Sequence, residues 1–143
     1  MQAVSITPYA DADFDSVTAI WLDSANSIGI PMPVTLAELR DRWPRELAAG
    51  WDVHVARKDG VPVAFLAMTP GKVNQLFVRP ECQGQGIGKR LLDFAKVEMP
   101  DGFSLTTAVI GRAGKFYARE GLMPGETSLH PFGHELIRYD WRP

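Results

Sequence analysis

The segment Val73–Lys96, "VNQLFVRPECQGQGIGKRLLDFAK", passes from an apolar run through a glycine-rich turn into an amphipathic stretch. The run "QLFV" is typical of a strand, and Pro80 stops it because proline cannot donate to a sheet ladder. The apolar residues beyond the turn fall at helical spacing, which predicts a helix that begins near Gly86. The segment therefore predicts a strand that ends at Val78, a loop and a helix in direct succession.

The turn itself is unusual because Gly84, Gly86 and Gly88 stand at alternate positions. Glycine costs backbone entropy but lets the main chain approach a ligand closely, and a helix N-terminus exposes unpaired N–H groups. An anion, most simply a phosphate, fits such a turn. A turn that merely reverses the chain is the alternative that these residues leave open.

Two common phosphate motifs do not fit this turn. The pattern G-x-x-x-x-G-K-[ST] needs one more residue between Gly84 and Gly88, and Arg90 stands where its hydroxyl residue belongs. The dinucleotide fingerprint needs a third glycine at the position of Lys89.

The chain around this segment predicts a mixed α/β domain. The N-terminal third reads mainly as two helices, "DADFDSVTAIWLDSAN" and "LAELRDRWPRELAA", the second capped by Thr35 and kinked or split by Pro44. Asp59 and Gly60 separate two β-rich runs, which is a strong hairpin signal. After the glycine turn come a strand, a short helix and a closing strand: "FSLTTAVI", "AGKFYAREG" and "HELIRYDW". This order predicts helices covering a mostly antiparallel sheet.

Composition excludes several classes of function. The 143 residues are 45% hydrophobic and 22% charged, with a net charge of -2, so the chain lacks the basic excess of a nucleic-acid-binding protein. The single cysteine, Cys82, excludes an internal disulfide, and the spacing of His54, His130 and His134 matches no metal-ligand motif. No signal-peptide pattern or membrane-spanning apolar run is present, so we expect a cytoplasmic protein that binds neither metal nor membrane.

The pattern Gln83-x-x-Gly86-x-Gly88 after "QLFV" resembles the acyl-CoA signature of the GNAT superfamily of N-acetyltransferases. The segment Lys115–Leu122, "KFYAREGL", is similar to the superfamily's downstream "FYEKxGF" segment, and the order of hairpin and closing strand also matches. The resemblance covers nearly the whole chain. It implies one domain over residues 1–143, with a twisted, mostly antiparallel sheet of about six to seven strands flanked by about four helices.

The resemblance also implies the cofactor and the roles of individual residues. Acetyl-CoA would be the cosubstrate, with its pantetheine arm beside the main chain of Leu76, Phe77 and Val78. Tyr117 matches the tyrosine that protonates the departing thiolate of CoA in many members. The pyrophosphate would be held by a loop that acts largely through backbone N–H groups and comprises Gln83, Gly84, Gln85, Gly86, Ile87, Gly88 and Lys89.

The sequence departs from the superfamily pattern at two positions. Ile110 stands where many members have an asparagine, and Leu105 stands where some have a glutamate that acts as general base. The base therefore stays open among Glu81, His54, His134 and a water chain through Asn74 and Gln75.

The sequence thus predicts an N-acetyltransferase in which a primary amine of a small molecule or peptide attacks the thioester directly. The alternatives are an acyl-CoA-binding or sensing module without catalysis, a structural α/β domain, and covalent catalysis by Cys82. Trp21, Met32 and Trp43 lie in the helical region that borders the acceptor pocket in this superfamily, so they are candidates for specificity. A homodimer is left open.

Overall fold

The computed structural model describes residues 3–27 and 34–143, which form a seven-stranded sheet with four α-helices against it. The strands are β1 (Val4–Pro8), β2 (Asp52–Lys58), β3 (Val61–Thr69), β4 (Lys72–Val78), β5 (Phe103–Ala108), β6 (Met123–Leu129) and β7 (Glu135–Trp141). The helices are α1 (Phe14–Ser27), α2 (Leu36–Ala48), α3 (Ile87–Glu98) and α4 (Ala113–Arg119). None of these helices is long and apolar enough to cross a membrane.

The strand order is β1-β2-β3-β4-β5-β7-β6, and every neighbouring pair is antiparallel except β4 and β5. The predicted fold class, a mixed α/β domain with a mostly antiparallel sheet, is confirmed. The connection from β4 through α3 to β5 is the crossover that a parallel pair requires.

Local signals in the sequence explain most of these elements. Asp59 and Gly60 both have positive φ, 53° and 84°, as a two-residue hairpin turn between β2 and β3 needs. The Thr35 hydroxyl accepts a hydrogen bond from the N–H of Glu38 at 3.2 Å and caps α2 as predicted. Helix α2 runs through Pro44 without a break, so of the two predicted effects of Pro44, a kink or a split, the split does not occur.

The sequence patterns did not predict either edge strand, β1 or β6. The N-terminal third was predicted to be mainly helical, yet it begins with β1, which pairs with β2. Strand β6, which pairs with β7, was not predicted either. An edge strand packs on one neighbour only, so its residues need not show the apolar alternation that identifies a buried strand.

An aromatic cluster fills the space between the sheet and helices α1 and α2. Trp43 is fully buried, and its ring centroid lies within 6 Å of four neighbouring rings: 5.5 Å from Tyr9, 5.9 Å from Trp21, 5.8 Å from Trp51 and 5.2 Å from Phe65. Trp21 is also buried. Both tryptophans are thus core residues, which disfavours them as candidates for specificity, and Met32 lies outside the described residues.

Candidate cofactor and active site

The parallel strands β4 and β5 diverge after their first pair and leave a gap between them. They pair where Lys72 meets Ser104, at the start of both strands, and no further pair joins them within the described residues. The remainder of β4 pairs with β3 only, from Ala67 opposite Gln75 to Ala64 opposite Val78. The carboxyl-terminal half of β4 therefore has one side without a strand partner.

Main-chain donors of β4 point into this gap. The N–H of Arg79 donates to the carbonyl of Val63 on β3 at 2.8 Å. Because residues of an antiparallel strand face their partner alternately, the N–H groups of Leu76 and Val78 point away from β3. An extended ligand could pair with them as an added strand would.

A β-bulge lies at the start of this edge. Ala67 pairs with Gln75 but Met68 pairs with Val73, which leaves Asn74 as the extra residue of β4. The Asn74 amide donates to the Thr69 hydroxyl at 2.8 Å. Bulges of this kind bend a strand and are frequent next to active sites.

The glycine loop continues directly from the end of β4. Gly84 and Gly86 have φ of 79° and 82°, and Gly86 caps the N-terminus of α3. A Cβ at either position would meet nothing within 4 Å, so the outer face of the loop is open to a ligand. The loop is tied back to the strand because the Gln83 side-chain amide donates to the carbonyl of Val78 at 3.3 Å. The unpaired N–H groups at the start of α3 thus lie beside the end of the gap.

Helix α4 closes the site from the other side. The Cβ position of Gly88, in the first turn of α3, lies 3.5 Å from the Phe116 ring of α4 and 3.7 Å from the Val78 side chain of β4. Strand β4, helix α3 and helix α4 therefore meet at one point. This contact places Tyr117, the next residue of α4, near the same end of the sheet.

Tyr117 is a buried phenol. Its ring lies 5.2 Å from that of Phe116 and 5.8 Å from that of Tyr139 on β7, and 7% of the residue is exposed. Burial raises the pKa of Tyr117 above its usual value of about 10. The phenol is therefore protonated throughout the neutral range, and within the described residues its hydroxyl has no hydrogen-bond partner.

Side chains around the loop make contacts that were not predicted from sequence. The Lys89 ammonium lies 2.9 Å from Glu120, just after α4, and 3.5 Å from Asp93, so its side chain joins α3 to the end of α4. Lys58, at the end of β2, donates to the side-chain carbonyl of Gln85 at 2.7 Å. The sequence reading missed Lys58 because the two residues are 27 positions apart and no local pattern connects them.

The candidate bases lie at different distances from the gap. The His54 ring packs on Phe94 at 4.6 Å, and its strand, β2, lies about 10 Å from β4, with the gap on the far side of β4. Glu81 is exposed and lies 3.9 Å from Arg79. The distance between β2 and the gap disfavours His54 as the base.

The other candidates lie near the end of β5. His134 stacks on His130 at 4.4 Å in the turn between β6 and β7, and the main-chain carbonyl of the following residue, Glu135, accepts a hydrogen bond from the N–H of Val109. Ile110 is exposed just beyond β5, whereas Leu105 and Cys82 are buried in the core. The burial of Cys82 in an apolar cluster disfavours covalent catalysis through it. Among residues 3–27 and 34–143, no three potential metal ligands come together.

Comparison with known proteins finds a match to the family model described as "Acetyltransferase (GNAT) domain" over residues 49–121. The matched region contains the β4–β5 gap, the glycine loop and Tyr117. No protein with a curated function matches the sequence significantly.

Several solved structures share the fold at low sequence identity. A GCN5-related N-acetyltransferase from Rhodopseudomonas palustris is 17% identical, with a TM-score of 0.80 and coverage of 100% of this chain and 98% of that one. The structure of yncA from Salmonella typhimurium with its cofactor acetyl-CoA is 16% identical, with a TM-score of 0.74 and coverage of 98% and 94%. The paia N-acetyltransferase from Thermoplasma acidophilum, in complex with coenzyme A, is 16% identical, with a TM-score of 0.71 and coverage of 97% and 99%.

Proposed function

The chain belongs to the GNAT acetyltransferase superfamily, and we propose that it transfers an acetyl group from acetyl-CoA to a primary amine of a small molecule or peptide. The observation that carries the proposal is the continuity of one surface. The open edge of β4 and the open face of the glycine loop adjoin where Val78, Gly88 and Phe116 come together, and the buried Tyr117 ring lies 5.2 Å from that of Phe116. The acetyl-CoA in the yncA structure and the coenzyme A in the Thermoplasma structure support the proposal that acetyl-CoA is the cosubstrate.

In this proposal the loop and the strand hold the cosubstrate by main-chain groups. Backbone N–H groups of residues 84–89 bind the pyrophosphate at the positive end of α3, where the left-handed Gly84 and Gly86 expose them. The edge of β4 from Leu76 to Val78 lies along the pantetheine arm. The cosubstrate supplies a thioester carbonyl, which the amine of the acceptor attacks directly.

The N–H groups of β4 that point into the gap also stabilise the transition state. Negative charge that develops on the thioester oxygen needs a donor fixed in place, and the N–H groups of Leu76 and Val78 point into the gap where the carbonyl would lie. A single preorganised donor of this kind contributes about 3–4 kcal/mol in other acyl-transfer enzymes.

Proton transfer then completes the reaction. Tyr117 donates its proton to the thiolate that leaves, since its hydroxyl is protonated and forms no hydrogen bond within the described residues. Strands β4 and β5 carry no acidic residue and no histidine, so in this mechanism the amine loses its proton to water near Asn74 and Gln75. Catalysis of this kind depends mainly on the positioning of two substrates.

We expect Tyr117→Phe to lower kcat about 100-fold or more with little change in KM for acetyl-CoA, because general acid catalysis typically contributes this much. Phenylalanine keeps the ring contacts with Phe116 and Tyr139, so the melting temperature should hardly change. The measurement is release of free thiol from acetyl-CoA across a panel of primary amines.

Tyr139→Phe is the matched control, because it removes a hydroxyl from the adjoining ring and should leave the rate near that of the wild type. Equal rates for Tyr117→Phe and the wild type would show that Tyr117 is not the acid. A protein that binds acetyl-CoA but acetylates no amine in the panel would support the alternative of an acyl-CoA-binding module.

A further inference from the structure

Some of the basic side chains around the glycine loop are paired with carboxylates and others are not. Lys89 lies between two carboxylates, Glu120 and Asp93, and Arg79 is 3.9 Å from Glu81. These two charges are at least partly compensated within the protein. A dianionic pyrophosphate gains little from a cation that already has a carboxylate partner.

Lys58 is different because its only partner in the described part of the chain is neutral. Its ammonium donates to the side-chain carbonyl of Gln85, in the middle of the loop, at 2.7 Å. An ammonium has three N–H donors, so two are left for other acceptors. Lys58 therefore keeps its full charge at the loop.

The sheet topology explains why Lys58 reaches the loop. Strands β2 and β4 are parallel to each other because each is antiparallel to β3 between them, so Lys58 and Val78 end their strands at the same edge of the sheet. Val4 stands opposite Lys58 on β1, and its carbonyl accepts a hydrogen bond from Arg90 of α3 at 2.9 Å. A second cation with a neutral partner thus lies on the same side of the loop.

We infer that Lys58 binds a phosphate group of coenzyme A, with Gln85 holding its ammonium at the loop and Arg90 adding positive charge beside it. The inference rests on the proposed function, because it takes the loop as the CoA site. It adds to the main-chain contacts of the loop a charged side chain from a distant strand. The phosphate is either the pyrophosphate or the 3′-phosphate, and the two ligands of the test distinguish them.

The test is calorimetric titration of CoA and of dephospho-CoA into the wild type, Lys58→Gln, Lys58→Arg, Lys89→Gln and Lys72→Gln. Lys72 is the matched control, since it is an exposed lysine at the opposite end of β4 and its replacement changes the net charge equally. We expect Lys58→Gln to weaken CoA binding about tenfold, the effect of one hydrogen bond to a charged group. Lys58→Arg should restore most of the affinity, and Lys72→Gln should match the wild type.

The two ligands identify which phosphate is bound. An equal loss for CoA and dephospho-CoA assigns Lys58 to the pyrophosphate, whereas a loss for CoA alone assigns it to the 3′-phosphate. In either case the loss should shrink at an ionic strength of about 0.5 M, because salt screens an exposed charge.

Wild-type affinity in a folded Lys58→Gln would overturn the inference, and so would an equal loss in Lys72→Gln. A larger loss in Lys89→Gln than in Lys58→Gln would transfer the role to Lys89. A wild type that binds neither ligand would instead overturn the proposed function. Melting curves without ligand show that each variant is folded.

Discussion

At the scale of single residues, Gly86 and Gly88 of the loop are glycines for different reasons. Gly86 has a φ of 82°, which costs other residues about 1–2 kcal/mol, whereas Gly88 does not have a positive φ. A Cβ on Gly88 would make only ordinary contacts with Phe116 and Val78, at 3.5 and 3.7 Å. Position 86 thus requires glycine because the backbone that exposes the N–H groups is left-handed there. Position 88 has no such requirement.

Gly86→Ala should therefore lower the free energy of unfolding by about 1 kcal/mol and weaken acetyl-CoA binding, because the loop must leave its left-handed conformation to relieve the strain. Gly88→Ala should keep the stability of the wild type within about 0.5 kcal/mol. Urea unfolding with and without acetyl-CoA measures both effects. Equal destabilisation by the two substitutions would contradict this account of the loop.

The residues of the loop could be predicted from sequence, but the direction of their side chains could not. The alternate glycines and the following helical pattern are local signals, and the structure places them as predicted, with the N-cap at Gly86. The contacts of Lys58 with Gln85 and of Lys89 with Glu120 join residues 27 and 31 positions apart. Such contacts depend on how distant elements pack, which no local pattern records.

At the scale of elements, local signals identified the central strands and not the edges. Strand β3 has six consecutive buried residues, which a sequence pattern reveals easily. Strand β6 is exposed at every position and contains Pro124 and Gly125, both of which disfavour a strand. It forms because β7 supplies a partner, so the cause lies outside the segment itself.

The turn before α1 is held to β2 by one buried ion pair. Asp13 is 5% exposed, and its two carboxylate oxygens accept hydrogen bonds from Arg57 at 2.8 and 2.7 Å. The hydrogen bonds from Arg57 lower the pKa of Asp13 below its ordinary value. A lowered folded-state pKa means that the pair stabilises the protein above the ordinary pKa of aspartate, about 3.9, and that this stability is lost as the pH falls.

Asp13→Asn should accordingly cost about 3 kcal/mol at pH 7, because Arg57 loses the partner that compensates its desolvation. The difference from the wild type should shrink as the pH falls below about 4, where Asp13 of the unfolded wild type is protonated while the folded carboxylate, with its lowered pKa, is still charged. Asp15→Asn, at an exposed pair with Arg40, is the control and should cost less than about 1 kcal/mol. Urea unfolding measures these free energies across the pH range. A difference between Asp13→Asn and the wild type that stays constant with pH would contradict the role of the ion pair.

At the scale of the whole molecule, the proposed function depends on the parallel junction of β4 and β5, the one parallel pair in the described part of the sheet. The two strands of that junction separate after their first pair, and the crossover helix α3 begins after the glycine loop, beside the far end of the gap. The order of strand, glycine loop, helix and strand could be predicted from sequence, and with it the fold class. The separation of β4 from β5 could not, because it is a matter of how two strands that are distant in sequence pack, and the bulge at Asn74, where they part, has no local signal either.

The central claim is that the glycine loop and the open edge of β4 bind coenzyme A. The most direct measurement is a thermal-shift titration of the protein with acetyl-CoA, CoA and ATP. The account predicts that acetyl-CoA at about 100 times its Kd stabilises the fold by about 2.7 kcal/mol, that CoA has a similar effect, and that ATP has little. Melting curves that neither acetyl-CoA nor CoA shifts at millimolar concentration, or that ATP shifts equally, would contradict it.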